Sequence, residues 1–438
     1  MQYSLLERSI ASVLSRFPRL KSTVKVVYHR AVYFFYRRSA RGKSLVLADG
    51  VHLEDVRGHS SNRELDESVW FGYYDRSPWS SDGRYFIRHR ATDRSARCEV
   101  SVSEITTGHT VSVGNTRAWN HQQACLSSWC GSSPYTVAYN SIEDGVLGSR
   151  WVRLAQNGPH VEESTFVPWP VQSIHPNGEY ALTLNYRRLH RLRPEYGYDF
   201  EVSNFAPNQP DNTDGMWRFD VRGGTAKLAV TLEQLRTLSP AQTMDGADHK
   251  VNHIMYSPNG ERFVFMHRWI HKTGKYSRLL VGKDGTDFDS CDLRVLMDER
   301  VVSHYSWKND RELIVWGRYG GHDRYFLIDV EQSSVEPLAG GLIDRYGDGH
   351  PSFSPDERYV ITDTYPDKAR MRTLILLDTK LQKVTELGKF FAPWKFNGAY
   401  RCDLHPRWSP DGKQVSIDSA HEGQRRSYII DISGIVER

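Results

Sequence analysis

Arg401-Cys402-Asp403-Leu404-His405-Pro406-Arg407-Trp408-Ser409-Pro410-Asp411-Gly412-Lys413 carries a chain reversal at its end. Proline presets φ for the first corner, the aspartate can bond back to nearby backbone, and glycine takes the positive-φ position. Ser-Pro-Asp-Gly therefore turns the chain between two strands. On the extended segment before the turn, Asp403 and His405 are two residues apart and project to the same side. Two groups of metal-ligating type thus face one way.

Related turns recur along the chain, at Asp75 to Gly83, Leu126 to Tyr135, Val171 to Gly178, His253 to Gly260, His304 to Asp310 and His350 to Asp356, making seven with the His405 copy. They repeat every ~45 to 55 residues, the length of one four-stranded propeller blade, with a longer interval between the third and fourth. Between them, short apolar runs rich in Val, Ile, Tyr and Phe alternate with Gly, Asn, Asp and Ser. The pattern predicts an all-β chain, a seven-bladed β-propeller over residues 45–438 with a short N-terminal α-helical extension over 1–44.

A chain of 438 residues could hold two or three average domains, but radial repeats run longer as one unit. A net charge of +4 is too mild for bulk nucleic-acid binding, and none is expected. Twelve Trp and twenty-three Tyr suit propeller strands and sugar-binding faces alike. Five cysteines at scattered positions, 98, 125, 130, 291 and 402, do not form a disulfide framework and read as reduced thiols. There is no apolar run of membrane-spanning length, and Glu7 and Arg8 stand where a signal peptide would carry its apolar core. These features point to the cytoplasm, with peripheral attachment at the inner membrane as a further expectation.

That expectation comes from the head. Residues 1–44 carry Arg8, Arg16, Arg19, Lys21, Lys25, Arg30, Arg37, Arg38, Arg41 and Lys43 against the lone acid Glu7, with apolar residues at spacings of three and four. Basic amphipathic helices broken at Pro18 follow. Two readings stand: an anchor on anionic lipid, or helices packed on the propeller with solvated cations. The long interval, 187–250, reads as an insertion between blades. It holds Arg187, Arg188, Arg191 and Arg193 and is either a substrate-covering loop or a plain surface insertion.

The position just before the turn is histidine in four copies, His253, His304, His350 and His405. A lone histidine is usually a satisfied core or surface residue. Four at equivalent places of a radial repeat converge on one axis. With Asp403 and Asp348 nearby they would suit a divalent first-row metal such as Mn, Fe, Ni or Zn. The plainer alternative is that histidine before proline, as at His350 and His405, only supports the turn.

The segment from Asp403 to Ile429, with His421-Glu-Gly inside it, resembles the last blade of the oligogalacturonate lyase family, seven-bladed polysaccharide lyases. The His253 copy ending in His267, the Ser303-His304-Tyr-Ser-Trp segment and Gly349-His350-Pro-Ser-Phe are similar to further segments of that family. The resemblance implies metal ligands at His304 and His405, with His350 and Asp403 completing the set, manganese as the metal, and a general base at His267. The family's first His of His-Pro-His-Pro is Asp403 here, and its glutamine ligand falls at Tyr400. The chain also resembles bacterial propellers that accompany surface-polysaccharide synthesis, through Phe71 to Asp75, Asn120-His121-Gln122-Gln123 and the Arg188 to Arg193 run; Gln123 and Tyr400 are expected to touch substrate.

The chemistry fits these residue types. β-Elimination removes the proton at C5 of a uronic acid, which requires its carboxylate to be neutralised and a base that titrates near neutrality. Metal and histidine would supply both, with Arg188 as the catalytic cation and Arg187, Arg191 and Arg193 as carboxylate contacts. The expected function is a metal-dependent lyase on an anionic, uronate-containing oligosaccharide or polysaccharide. The alternative is a non-catalytic propeller that binds glycan or scaffolds surface-polysaccharide synthesis.

Overall fold

The computed structural model describes residues 43–437 except 57–66, 93–95, 132 and 286–291, together with residues 28, 30, 33 and 34 of the head. The helical extension expected over 1–44 lies outside the described residues apart from Tyr28, Arg30, Tyr33 and Phe34, which are helical.

The recurring turn works as its residues dictate. Gly412 donates its N–H to Ser409 O at 3.0 Å and sits at φ 71°. Ser409 Oγ donates to Asp411 Oδ1 at 2.6 Å and accepts the N–H of Gln414 at 2.9 Å, starting the next strand. Ser80, Ser257 and Ser354 make the same pair of bonds in their own copies. Each serine saturates a backbone donor that the reversal would otherwise strand.

The turns join antiparallel strands into an all-β propeller. Five sheets stand separately. Four have four strands and one has five, the extra being Leu45–Leu47 paired on the edge of Lys383–Phe391. The expectation of seven blades is therefore corrected to five discrete ones. The first and last copies run together in one eight-stranded sheet, because Val69 on Glu67–Trp70 pairs in parallel with Arg426 on Arg426–Asp431. Early chain also covers the edge of that last strand, with His52–Asp55 lying antiparallel on it. Joining the two ends of the chain removes sheet edges that would otherwise present unpaired backbone groups.

Between neighbouring sheets the apolar faces interlock. Met266 and Leu279 of one sheet pack with Val315 and Phe326 of the next, all nearly inaccessible. The long interval 187–250 is not one insertion. It supplies two strands, Gly215–Asp220 and Ala226–Thr231, to the sheet begun by Ser173–Ile174 and Tyr180–Leu184. Helix α1, Tyr186–Leu192, capped by Asn185 Oδ1, precedes those strands, and α2, Leu232–Thr237, closed by a capping box at Thr231 and Gln234, follows them.

The N-terminal strands are thus part of two sheets. A chain beginning at residue 57 loses both and is expected to melt well below the full chain and to self-associate through the bared edges; thermal unfolding and light scattering check this.

Candidate metal centre and cleft

Three imidazoles meet where three successive inner strands begin. His304 lies in Val302–Trp307, His350 two residues before Ser352–Phe353, and His405 two before Arg407–Trp408. The ring centroids of His304 and His350 are 4.2 Å apart, and those of His350 and His405 are 4.3 Å apart. Ligand-type atoms of His350, Asp403 and His405 all lie within 4.8 Å of one another. His253 reaches the group through Tyr73. The two rings stack at 4.9 Å and 9°, and Tyr73 is also 4.8 Å from His405.

Each imidazole is anchored through Nδ1. His304 bonds Asp348 Oδ1 at 2.8 Å, His350 bonds Asp363 Oδ1 at 2.8 Å, and His405 donates to Gly72 O at 2.7 Å. That fixes the tautomer and leaves each Nε2 as the free lone pair. The Nε2 atoms of His350 and His405 are buried and lack any hydrogen-bond partner among the described residues. Burial pushes the imidazoles of His304 and His405 below their ordinary titration range, so both are neutral and need lose no proton to bind a cation. Three imidazole nitrogens with carboxylate or carbonyl partners behind them fit a divalent first-row metal. His253 and His405 also hold positive φ, 53° and 45°, a conformation costing about 1–2 kcal/mol outside glycine.

Asp403 stands at the centre with its charge already engaged. Arg372 Nη1 is 2.7 Å from Oδ1 and Arg401 Nε is 2.6 Å from Oδ2. Burial opposes its charge, but the two guanidiniums hold its carboxyl well below the usual range. Arg401 also donates to Tyr196 Oη at 2.8 Å.

Other expected site residues fall elsewhere. His267 is on the strand Arg262–His271, in register with Val251. Its neighbour Arg268 pairs with Lys250, and successive residues of a strand face opposite ways, so His267 points away from the side that Arg268 and Lys250 occupy. Its Nδ1 accepts from Arg278 Nε at 3.1 Å, and its Nε2 must then donate to His249 Nδ1 at 2.9 Å. Both ring nitrogens are thus engaged, and the structure does not bring His267 to the three imidazoles. Arg188, expected as a catalytic cation, is buried, with Nε on Asp214 at 2.6 Å and Nη1 on Asp211 at 3.2 Å and His249 O at 3.1 Å, contacts that pin the segment after α1. Arg191 is held by Asp248 at 2.9 Å, and Arg187 sits half-buried in the first turn of α1. Tyr400 is 52% exposed and packs on His121 at 4.7 Å, while the Gln123 side chain is buried.

Arg193 is the member of that group that reaches a cavity. The cavity, about 530 Å³, is walled by Arg193, Lys250, Arg268, Lys275 and Arg300, with Trp269, Tyr276 and Trp316 also in its lining. Glu195 and Asp348 are its acids, and Asp348 with Ser303 brings its wall to the back of His304. A small anionic ring fits this chemistry.

Sequence reasoning missed Asp363, Arg372, Tyr73 and Lys250. A signal for the first was present: Asp363 follows the turn residue Asp356 at the same interval as Asp418 follows Asp411, each closing an apolar run.

A propeller with a buried histidine centre beside a basic cleft is the class these features define. No protein-family model matches the chain, and no curated protein does. Among solved structures, an oligogalacturonate lyase in complex with manganese superposes with a TM-score of 0.58 at 15% identity, covering 90% of this chain and 99% of that one. The oligogalacturonate lyase from Vibrio parahaemolyticus gives 0.57 at 13% identity, over 88% and 97%. At these identities the likeness is one of fold.

Gly349 lies so close to the neighbouring strand that a Cβ there would meet Asp363 O at 1.8 Å. Gly349→Ala is expected to displace Asp363, and with it His350 and His405, lowering the affinity of the candidate centre for a divalent first-row cation by roughly 10 to 100-fold. Calorimetric titration with a series of such cations checks it.

Proposed function

We propose that this chain is a metal-dependent lyase that cleaves a uronate-containing oligosaccharide by β-elimination, with His304, His350 and His405 holding the ion. The observation that carries the reading is the set of three buried imidazoles, each anchored through Nδ1, beside a cavity walled by cations. His304, His350 and His405 would hold manganese, and the ion would add positive charge behind the cavity wall that Asp348 and Ser303 share with His304.

The chain's own groups do the rest. Arg193 and Arg268 bind the uronate carboxylate and orient C5 toward the cavity wall. Trp316, half-buried on the cavity wall, offers an aromatic surface to the sugar ring. Burial and the adjacent Arg193 push the Arg268 guanidinium down to about 10, so it is charged at neutral pH. Asp403, beside His405 and His350, is ion-paired to both Arg372 and Arg401, so the trio carries one net positive charge. In the cell, we place the enzyme in the cytoplasm, with the basic head 1–44 contacting anionic lipid at the inner membrane.

Purified protein loaded with Mn²⁺ and given uronate oligosaccharides is expected to produce the ultraviolet absorbance of an unsaturated uronate, and none with neutral glycans. His405→Ala should lose metal binding and turnover together. A full gain of absorbance by that variant, or no gain by the parent chain on any uronate glycan, sinks the reading. Deletion of 1–44 should shift the protein from the membrane to the soluble fraction, with salt doing the same to the intact chain; unchanged fractionation removes the anchor.

A further inference from the structure

Lys250 is an unusual lysine. It lies in the strand Asp248–Tyr256, only 4% exposed, and its side chain lines the cavity. Among the described residues it has neither an ion pair nor a side-chain hydrogen bond. The titratable groups around it are Arg268 on the paired strand, Arg193 and Glu195 beyond α1, and Lys275 on Gly274–Lys283. Three of those four are cations. Burial first, then those cations, push the Lys250 amine down to about 6, with Glu195 alone pulling the other way.

The lyase reading requires a group with a free lone pair in this cavity. His267 has both ring nitrogens committed. His253 lies flat against Tyr73 and is not among the residues lining the cavity. The phenols of Tyr73 and Tyr74 are pushed up by burial and keep their protons. Lys250 shares a sheet face with Arg268, the cation best placed to take the carboxylate attached to C5.

We propose that Lys250 is the proton acceptor of this cleft, an inference that rests on the lyase reading. Its Nζ lone pair takes the C5 proton. The C5–H electron pair becomes the C4–C5 double bond, the C4–O bond breaks, and its pair stays on the departing glycosidic oxygen. The ammonium then returns its proton to that oxygen, which restores the amine. No oxidant or reductant is needed. The same cations that drive the proton off Lys250 bind the substrate carboxylate. Once their charge is partly cancelled, the amine becomes more basic, at the moment it must accept a proton. Turnover is therefore expected to fall as pH drops through the Lys250 titration, where the amine becomes ammonium.

The test uses the full-length protein loaded with diamagnetic Zn²⁺, since the unpaired electrons of Mn²⁺ would broaden the signals, and labelled with ¹³C at lysine Cε. One resonance, absent from Lys250→Arg, is expected to titrate near 6 and to move upward when glucuronate is added. Lys250→Arg and Lys250→Met should lose roughly 10² to 10⁴-fold in kcat, with KM changed far less and Mn²⁺ binding retained; two variants guard against a misfit of the larger side chain. If the parent chain cleaves uronate glycans while Lys250 titrates at the ordinary lysine value, or if either variant retains full kcat, the inference is wrong and the lyase reading stands. If Lys250 titrates low but the parent chain cleaves no uronate glycan, the lyase reading has failed and the acceptor role falls with it.

Discussion

A single buried carboxylate, that of Asp363, holds the centre together. Its Oδ1 takes the backbone N–H of His350 at 2.9 Å and the ring Nδ1 at 2.8 Å, while Oδ2 takes the backbone N–H groups of Leu404 and His405 at 3.1 and 3.2 Å. One side chain thereby sets the positions of two imidazoles on neighbouring sheets. Asp418 repeats the device one sheet on, gripping the N–H groups of Phe71 and Gly72 at 3.1 and 2.8 Å. Gly72 O in turn orients His405. Asn140 does the same for Val171, through its carbonyl at 2.6 Å and its amide at 3.0 Å. Buried donors left without these acceptors would cost about 1–3 kcal/mol each, so the sheets are locked in angle as well as packed.

The electrostatics of the centre follow from the same economy of charge. Burial keeps His253, His304 and His405 neutral. Asp403 carries the central negative charge and is more than balanced by Arg372 and Arg401. A cation held by neutral imidazoles keeps most of its charge, and the cavity wall beside it is rich in guanidinium and ammonium groups. The region as a whole is poised for an anion, because little negative charge inside the protein competes for those cations. Among the described residues, the acids beside the cleft are Glu195 and Asp348, and Asp348 is bonded to His304 and Ser303.

Residue spacing along the chain determined the strand-turn-strand unit, its repetition and its histidines. Those are local matters. Proline, aspartate and glycine select the reversal within four residues, and a radial repeat carries equivalent positions toward one axis. The convergence of His304, His350 and His405 could be read that way because each stands at the same place before its turn. The merging of the first and last copies could not, since the pairing of Val69 with Arg426 joins opposite ends of the chain. The roles of His267 and Arg188 were equally out of reach. Strand alternation turns the first away from the cleft, and Asp214, 26 residues from Arg188, claims the second. Lys250 reads as an ordinary strand lysine in the sequence. Only the tertiary structure removes it from water and surrounds it with Arg193, Arg268 and Lys275, because charge and burial act through space and take no account of distance along the chain.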